Sequence, residues 1–475
     1  MQKMQFPGQQ SWHIDLPLCC TLCFAALAAS MAIWIGGDSL QQDPDSYAQL
    51  AETLVETGTL GIKDADGVVH STAYRPPLYP WLLSWSVTQG KLSIIAVALF
   101  HIAMMCVLSV TVFDIARRLQ MAWPWIPAML VCIDPLMIKA TQQIMTELLA
   151  TTLAALVWWL WLVLWPPSSM TCLVTESKTR SKLQWISLYG LGLVFGLSIL
   201  ARPTAAIWVA MFSLCMIRVG CICWRRRLLD VITVSIVVAI CVVPWTVRNW
   251  AQLGQPIWGT THGGYTLMLA NNPSLYHHFK ANGADRDWRT ESFHHAWALR
   301  GKFTKEELLS DEHWIGKPAI LLPNLQSDSS SLTVYSLGEL HDDALAYEVA
   351  HHTIHQDLKT FAKSCIYRLG WFWSCWPNGV GKAQTAVIGT WYAGLFALAL
   401  MGLRKACANF ESFVVSWLPV LTLMIVLSCV HSAYWSNMRM RCPLMPCIYM
   451  LAVVALRSQI RIETCERNST DCTSD

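Results

Sequence analysis

At 475 residues, with 54% hydrophobic and only 14% charged residues, the chain is too apolar for a soluble protein of its size and reads as a polytopic membrane protein. A formal net charge of +3 gives no strongly basic surface and argues against a nucleic-acid partner. The 25 Trp agree, because indole rings favour the membrane interface, where the ring is buried and the N–H stays wet.

A helix needs about 20 apolar residues to cross about 30 Å of hydrocarbon. Runs of that kind predict an α-helical fold of about ten spans, near 16–36, 92–114, 122–138, 147–165, 185–201, 203–219, 229–247, 385–403, 412–431 and 443–457. The first follows Met1-Gln2-Lys3 without a small-residue cleavage site and reads as a retained anchor. The third is interrupted by Pro124, Pro127, Asp134 and Pro135. Cysteines such as Cys106, Cys132 and Cys241 fall inside apolar runs, where they act as small hydrophobes.

Orientation follows from Lys and Arg. Arg117-Arg118, Lys178-Arg180-Lys182, Arg218 with Arg225-Arg226-Arg227, Arg404-Lys405, and Arg457 with Arg461 all fall on one side of the ten-span arrangement. That side is expected to be cytoplasmic and to hold both termini, and the Asn468-Ser469-Thr470 acceptor there is expected to be inert. Three parts result: a transmembrane module over 1–247 with a first outer loop at 37–91, an extracytoplasmic soluble region over 248–384, and C-terminal helices with a cytoplasmic tail over 385–475. The soluble region is expected to carry charged helical stretches from Asp285 to Lys305, a serine-rich loop at 327–331 and a second helix from His341 to Lys363.

Charged groups on the outer face are the candidates for chemistry, since placing one at mid-membrane costs about 2.5–3.5 kcal/mol. Asp43-Pro44-Asp45-Ser46-Tyr47 follows the first span, and acids at a membrane surface are cheap, so position alone decides nothing. Glu147 after Thr146 is either a first-turn acid complementing the helix dipole, worth about 0.3–1 kcal/mol, or a site carboxylate. Arg202 and Arg248 are either snorkelling interface residues or ligand-binding ones. Arg439 and Arg441 are out of place by the positive-inside rule. Together with Arg75 these cations suit an anionic ligand, and a guanidinium fork matches lipid phosphate. The proline-rich Tyr74-Arg75-Pro76-Pro77-Leu78-Tyr79-Pro80 forms a stiff entry to a short helix in the membrane plane. His351 and His355 at i,i+4 could ligate zinc, but no Cys or HExxH pattern supports a metal. The sequence requires no cofactor and leaves room for a divalent cation.

Taken in order, the Asp-x-x-x-Tyr element, the Arg-Pro-Pro-Leu-Tyr-Pro loop, Thr146-Glu147, Arg202-Pro203, and Pro244-Trp245-Thr246-Val247-Arg248-Asn249 with the Asn271-Asn272-Pro273 turn resemble the GT-C superfamily of polytopic glycosyltransferases. The branch is that of protein O-mannosyltransferases and lipid A aminoarabinose transferases. The resemblance implies an inverting transferase that moves a sugar from a polyprenyl-phosphate donor to a hydroxyl of a protein, lipid or glycan. It implies work on the periplasmic or luminal face, with a bacterial inner membrane as the expected location. It makes Asp43 the acidic residue that activates the acceptor, Tyr47 its companion, Glu147 the second acid, and Arg202 and Arg248 phosphate ligands. Tyr74, Asn271 and Asn272 are expected to position substrate. Pro44-Asp45 stands where relatives often carry Glu directly after the Asp, so Asp43 and Asp45 both remain candidates for the base. The alternative class is a secondary transporter of an anionic or sugar-like solute, although the halves do not match as transporter repeats do. A lipid-linked polymer ligase or an inactive scaffold is a third, in which neither Asp43 nor Asp45 would matter.

Overall fold

The computed structural model describes residues 16–64, 66–166, 181–218, 224–284, 288, 290–315 and 338–456. Lys178, Arg180, Asp285, the serine-rich 327–331, Arg457, Arg461 and Asn468 to Thr470 lie outside them.

Helix α1 (Leu16–Gly36) carries no charge and ends at Gly37, whose φ of 52° turns the chain into the first outer loop. That loop holds α2 (Tyr47–Thr57), the hairpin β1 (Gly61–Lys63) and β2 (Val69–Ser71) with Ile62 opposite His70, α3 (Leu78–Ser84), and the short pair β3 (Val87–Thr88) and β4 (Lys91–Leu92). Ser93 caps α4 (Ile94–Arg118). The interrupted third span is two helices, α5 (Trp125–Cys132) and α6 (Pro135–Thr141). The break is chemical: Asp134 accepts from the Leu136 and Met137 N–H groups as a cap, with Pro135 in the first helical position. Then come α7 (Glu147–Leu164), α8 (Lys182–Ala201), α9 (Ala205–Arg218) and α10 (Trp224–Leu253).

Outside the apolar helices, α11 (Gly263–Ala270), α13 (Glu291–Ala298), α14 (Lys305–Leu309), α15 (Asp311–Trp314) and α16 (Glu339–Gln356) build a separate core from Met268, Phe293, Trp297, Trp314 and Ala346, while α12 (Pro273–Asn282) packs Leu275, Tyr276 and Phe279 against Phe361, Tyr367 and Trp371. Helix α17 (Leu358–Phe372) leads back to α18 (Lys382–Ala406), α19 (Phe410–Ala433) and α20 (Met445–Leu456). Among the described residues seven helical stretches are long and apolar enough to cross a membrane, and the stretch Lys382–Ala433 comprises α18 and α19. Helix α9 and the α5–α6 pair are shorter, so helix length alone does not give the expected ten.

Not all the tryptophans sit at an interface. Pro419 lies inside α19 and has no N–H for the carbonyl of Val415, four residues earlier. Trp161 of α7 donates its indole N–H to that carbonyl at 2.7 Å, Trp158 donates to the Ser416 carbonyl at 2.9 Å, and Trp208 of α9 to the Pro419 carbonyl at 2.9 Å. A proline break that lipid could not satisfy is satisfied by neighbouring helices.

The basic ends of α4 (Arg117, Arg118), α9 (Arg218) and α18 (Arg404, Lys405) and the basic start of α10 lie at one end of the bundle. The C-terminal ends of α1, α8, α10 and α19 and the N-terminal ends of α7 and α20 lie at the other, with the first outer loop and the outer helices. Two acids on one face of α16 tie these last parts together. Glu339 accepts from the Ala73 N–H at 2.9 Å and from the Thr261 hydroxyl, and Asp343 accepts from the Gly264 N–H at 2.7 Å.

Candidate active site

The first carboxylate is presented by a tight turn. Ser46 N–H donates to the Asp43 carbonyl, and Ser46 itself takes φ 61°, a left-handed conformation costly for a residue with a Cβ. The turn aims Asp43 at the start of α2, where the Gln49 N–H donates to its Oδ2 at 3.1 Å. Oδ1 is buried and accepts no hydrogen bond. Burial lifts the Asp43 carboxyl above the ordinary carboxylate range, the charge of Asp45 adds to the rise, and the N–H groups of Gln49, Ala48 and Tyr47 oppose it.

Asp45 has a different environment. Arg75 pairs with its carboxylate at 2.6 Å and also donates to its backbone carbonyl. The same guanidinium lies over the rings of Tyr47 and Tyr74, at 5.7 and 4.6 Å. Tyr47 is buried, packs edge-on against Tyr79 at 5.2 Å, and has its hydroxyl pushed up to about 12 by burial.

The second carboxylate comes from the bundle. Glu147 opens α7 with a side chain only 1% exposed. Arg202 ends α8 because Pro203 follows it, forcing an extended backbone (φ −149°, ψ 115°) that sends the side chain across to α7. Its Nη2 reaches Glu147 Oε1 at 2.8 Å and its Nε donates to the Thr146 hydroxyl at 2.9 Å. Arg439, from the 3₁₀ turn Met438–Leu444, approaches the same Oε1 at 3.1 Å, and its Nη1 points to the Met145 sulfur. Glu147 Oε2 accepts no hydrogen bond. Two guanidiniums on one carboxylate leave one positive charge in excess. The packed Tyr47–Tyr79 pair links the two groups: burial dominates the rise of both hydroxyls, with the charges of Arg75, Asp45, Arg202 and Glu147 acting on Tyr47 and those of Glu147 and Asp43 on Tyr79.

Other expected site residues lie elsewhere. Arg248 donates to the carbonyls of Leu60 and Thr72 at 2.7 and 2.8 Å and fastens the first outer loop to α10. Arg441 is fully buried over Tyr392 and Phe396 and donates to the carbonyls of Phe372 and Ser374. Asn272 caps α12 by accepting from the Leu275 N–H. Asn271 is buried, donating to the Leu267 and Ala433 carbonyls and accepting from Tyr276. Tyr74 borders the cluster and meets His262 edge-on at 4.5 Å. His351 and His355 stack on one face of α16, their centroids 6.5 Å apart, and among the described residues no group of three His, Cys, Asp or Glu could hold a metal ion.

Sequence reading gave no site role to Tyr79, His101, His262 or Asp134. Tyr79 and His101 hydrogen-bond each other beneath the site. His262, a buried imidazole held neutral by burial and by nearby Arg75, stands beside Tyr74 with an unpartnered Nδ1. Asp134 accepts from the hydroxyls of Tyr392 and Tyr449 within the bundle. His101 and Asp134 were detectable as polar groups inside apolar runs; His262 gives no such signal in its Gly-rich turn.

These helices and the outer loop define the chain as an integral membrane protein with the GT-C fold. No protein-family model and no curated protein sequence matches it. Among solved structures it is similar to the archaeal oligosaccharyltransferase AglB from Archaeoglobus fulgidus in complex with an inhibitory peptide and a dolichol-phosphate, at 14% identity over 94% of this chain and 50% of that one, with a TM-score of 0.52. The apo form of the Archaeoglobus fulgidus oligosaccharyltransferase gives 13% identity, 94% and 51% coverage and a TM-score of 0.52. ArnT from Cupriavidus metallidurans bound to undecaprenyl phosphate gives 13%, 92%, 77% and 0.36. The chain spans about half the length of the oligosaccharyltransferases it matches, and the likeness is one of fold.

Proposed function

We propose that the chain is a membrane glycosyltransferase that moves a sugar from a polyprenyl-phosphate-linked donor to an acceptor hydroxyl, with inversion, on the periplasmic or luminal face. The observation that carries this reading is the presence, at the end of the bundle away from its basic helix ends, of both an unpartnered carboxylate oxygen on Asp43 and the cationic Glu147–Arg202–Arg439 group. Asp43 takes the acceptor proton as the hydroxyl attacks the anomeric carbon; its raised affinity for protons suits a general base. Asp45 is already committed to Arg75, which favours Asp43 over Asp45 for that role.

Charge accumulates on the departing phosphate, and the excess positive charge of Arg202 and Arg439 stabilises it there. Glu147 keeps the two guanidiniums in register, and its free Oε2 faces the sugar or the acceptor. The similar archaeal oligosaccharyltransferase in complex with a dolichol-phosphate supports a polyprenyl-phosphate donor as the first class to try.

The test is transfer of radiolabelled sugar from a mixed pool of polyprenyl-phosphate donors by purified protein in liposomes, with envelope extract as acceptor. Label appearing in acceptor with wild type and not with Asp43→Asn/Asp45→Asn supports the proposal and identifies the donor. No transfer from any donor, together with saturable uptake of an anionic or sugar-like solute into the liposomes, would replace it with the transporter reading.

A further inference from the structure

We infer that Tyr79 and His101 form a buried clasp that sets the position of Glu147 relative to Asp43, making both positioning residues for the transfer proposed above, on which this inference rests. Both side chains are fully buried. His101, in the third turn of α4, places Nδ1 2.9 Å from the carbonyl oxygen of Thr141 and Nε2 2.9 Å from the Tyr79 hydroxyl. A carbonyl only accepts, so Nδ1 carries the proton, Nε2 accepts, and the Tyr79 hydroxyl donates to it.

The consequence lies in what the two ends of this chain of bonds hold. Thr141 is the last residue of α6, six residues before Glu147, so the clasp fixes the α6 end of the turn that leads into α7. That turn delivers Met145 to Arg439, Thr146 to Arg202, and Glu147 to both. The Tyr79 ring packs edge-on against Tyr47, the first residue of α2, at whose start the Gln49 N–H holds Asp43. One tyrosine therefore bears on the supports of both carboxylates, on Asp43 through Tyr47 and on Glu147 through His101 and Thr141. A helix–helix contact would need only its ring; the hydroxyl, donating to His101, adds a fixed register.

The test uses Tyr79→Phe, His101→Phe and the double variant in liposomes, with two readouts. The first is kcat and donor KM for sugar transfer. Each single variant is expected to lower kcat about tenfold or more with KM little changed, and the double variant to fall no further than the worse single, because both remove the same clasp. The second needs no activity: ¹⁵N-histidine NMR, with the His101 signal assigned by its loss in His101→Phe, is expected to give the Nδ1–H tautomer in wild type and to lose that fixed signature in Tyr79→Phe. Wild-type transfer with kcat unchanged in both single variants, or additive losses in the double, would overturn the clasp while leaving the transferase reading intact. An Nε2–H tautomer in wild type would overturn it as well. Absence of transfer in wild type would instead sink the reading on which the clasp rests.

Discussion

Asp43 and Asp45 lie two residues apart and do different work because of what meets each carboxylate. Asp45 is neutralised by Arg75, whereas Asp43 is half-buried with one oxygen unpartnered. Burial raises the proton affinity of the Asp43 carboxyl. The native carboxyl holds its proton more tightly than the unfolded one, so ionisation costs stability near neutral pH, and the cost vanishes as pH falls below about 3.9. Asp43→Asn is therefore expected to raise Tm near neutral pH, with the gain fading in acid; a lower Tm at neutral pH would contradict this environment. Glu147→Gln removes the charge between two guanidiniums. We expect a loss on the order of 1–3 kcal/mol in chemical denaturation, below the roughly 3–5 kcal/mol of a fully buried pair, because Arg439 remains 32% exposed. The acids and Arg439 were legible because a charge next to an apolar span, or an Arg on the face that should lack it, needs a reason. Arg441 gave the same sequence signal and lies apart from the cluster, since residues two apart on a 3₁₀ turn leave it on different sides. Sequence spacing cannot show that when the turn type is unknown.

At the scale of elements, Arg248 was legible as an outer-face Arg but not as a fastener, because its partners are carbonyls of residues 60 and 72, far away in sequence. Arg248→Ala is expected to cost about 1–3 kcal/mol through the lost carbonyl bonds while leaving donor KM unchanged. Lys63→Ala, which removes only the exposed pair with Glu56, should stay within about 0.5 kcal/mol, and thermal melts of the two variants side by side check both. Helices α18 and α20 depend on Gly402, where an added Cβ would run into the Leu451 backbone. Gly402→Leu should push the pair apart and lower stability by about 1–3 kcal/mol; a melt unchanged from wild type would mean that α18 can shift without cost. The Asn271-Asn272-Pro273 turn was readable as a turn, and its chemistry is capping: Asn272 accepts from α12 with Pro273 at the first helical position.

At the scale of the molecule, hydropathy and positive charge laid out the bundle, since each span is recorded locally as an apolar run and each basic end as a cluster. What local pattern does not record is closure. Glu339 and Asp343 of α16 bind the first outer loop and the Gly-rich turn, and the Trp158, Trp161 and Trp208 indoles repair the break at Pro419, all across more than seventy residues of chain. This closure brings the ends of α1, α7 and α8 and the 439 turn to one end of the bundle, where, on the proposed function, sugar transfer occurs with Asp43 as base. The most direct measurement is the transfer rate of Asp43→Asn beside Asp45→Asn, in the same liposomes and with the donor that supports wild-type transfer. We predict a fall of about 10²–10⁴-fold for Asp43→Asn and less than tenfold for Asp45→Asn. Wild-type rates in Asp43→Asn, or the larger loss in Asp45→Asn, would contradict the account.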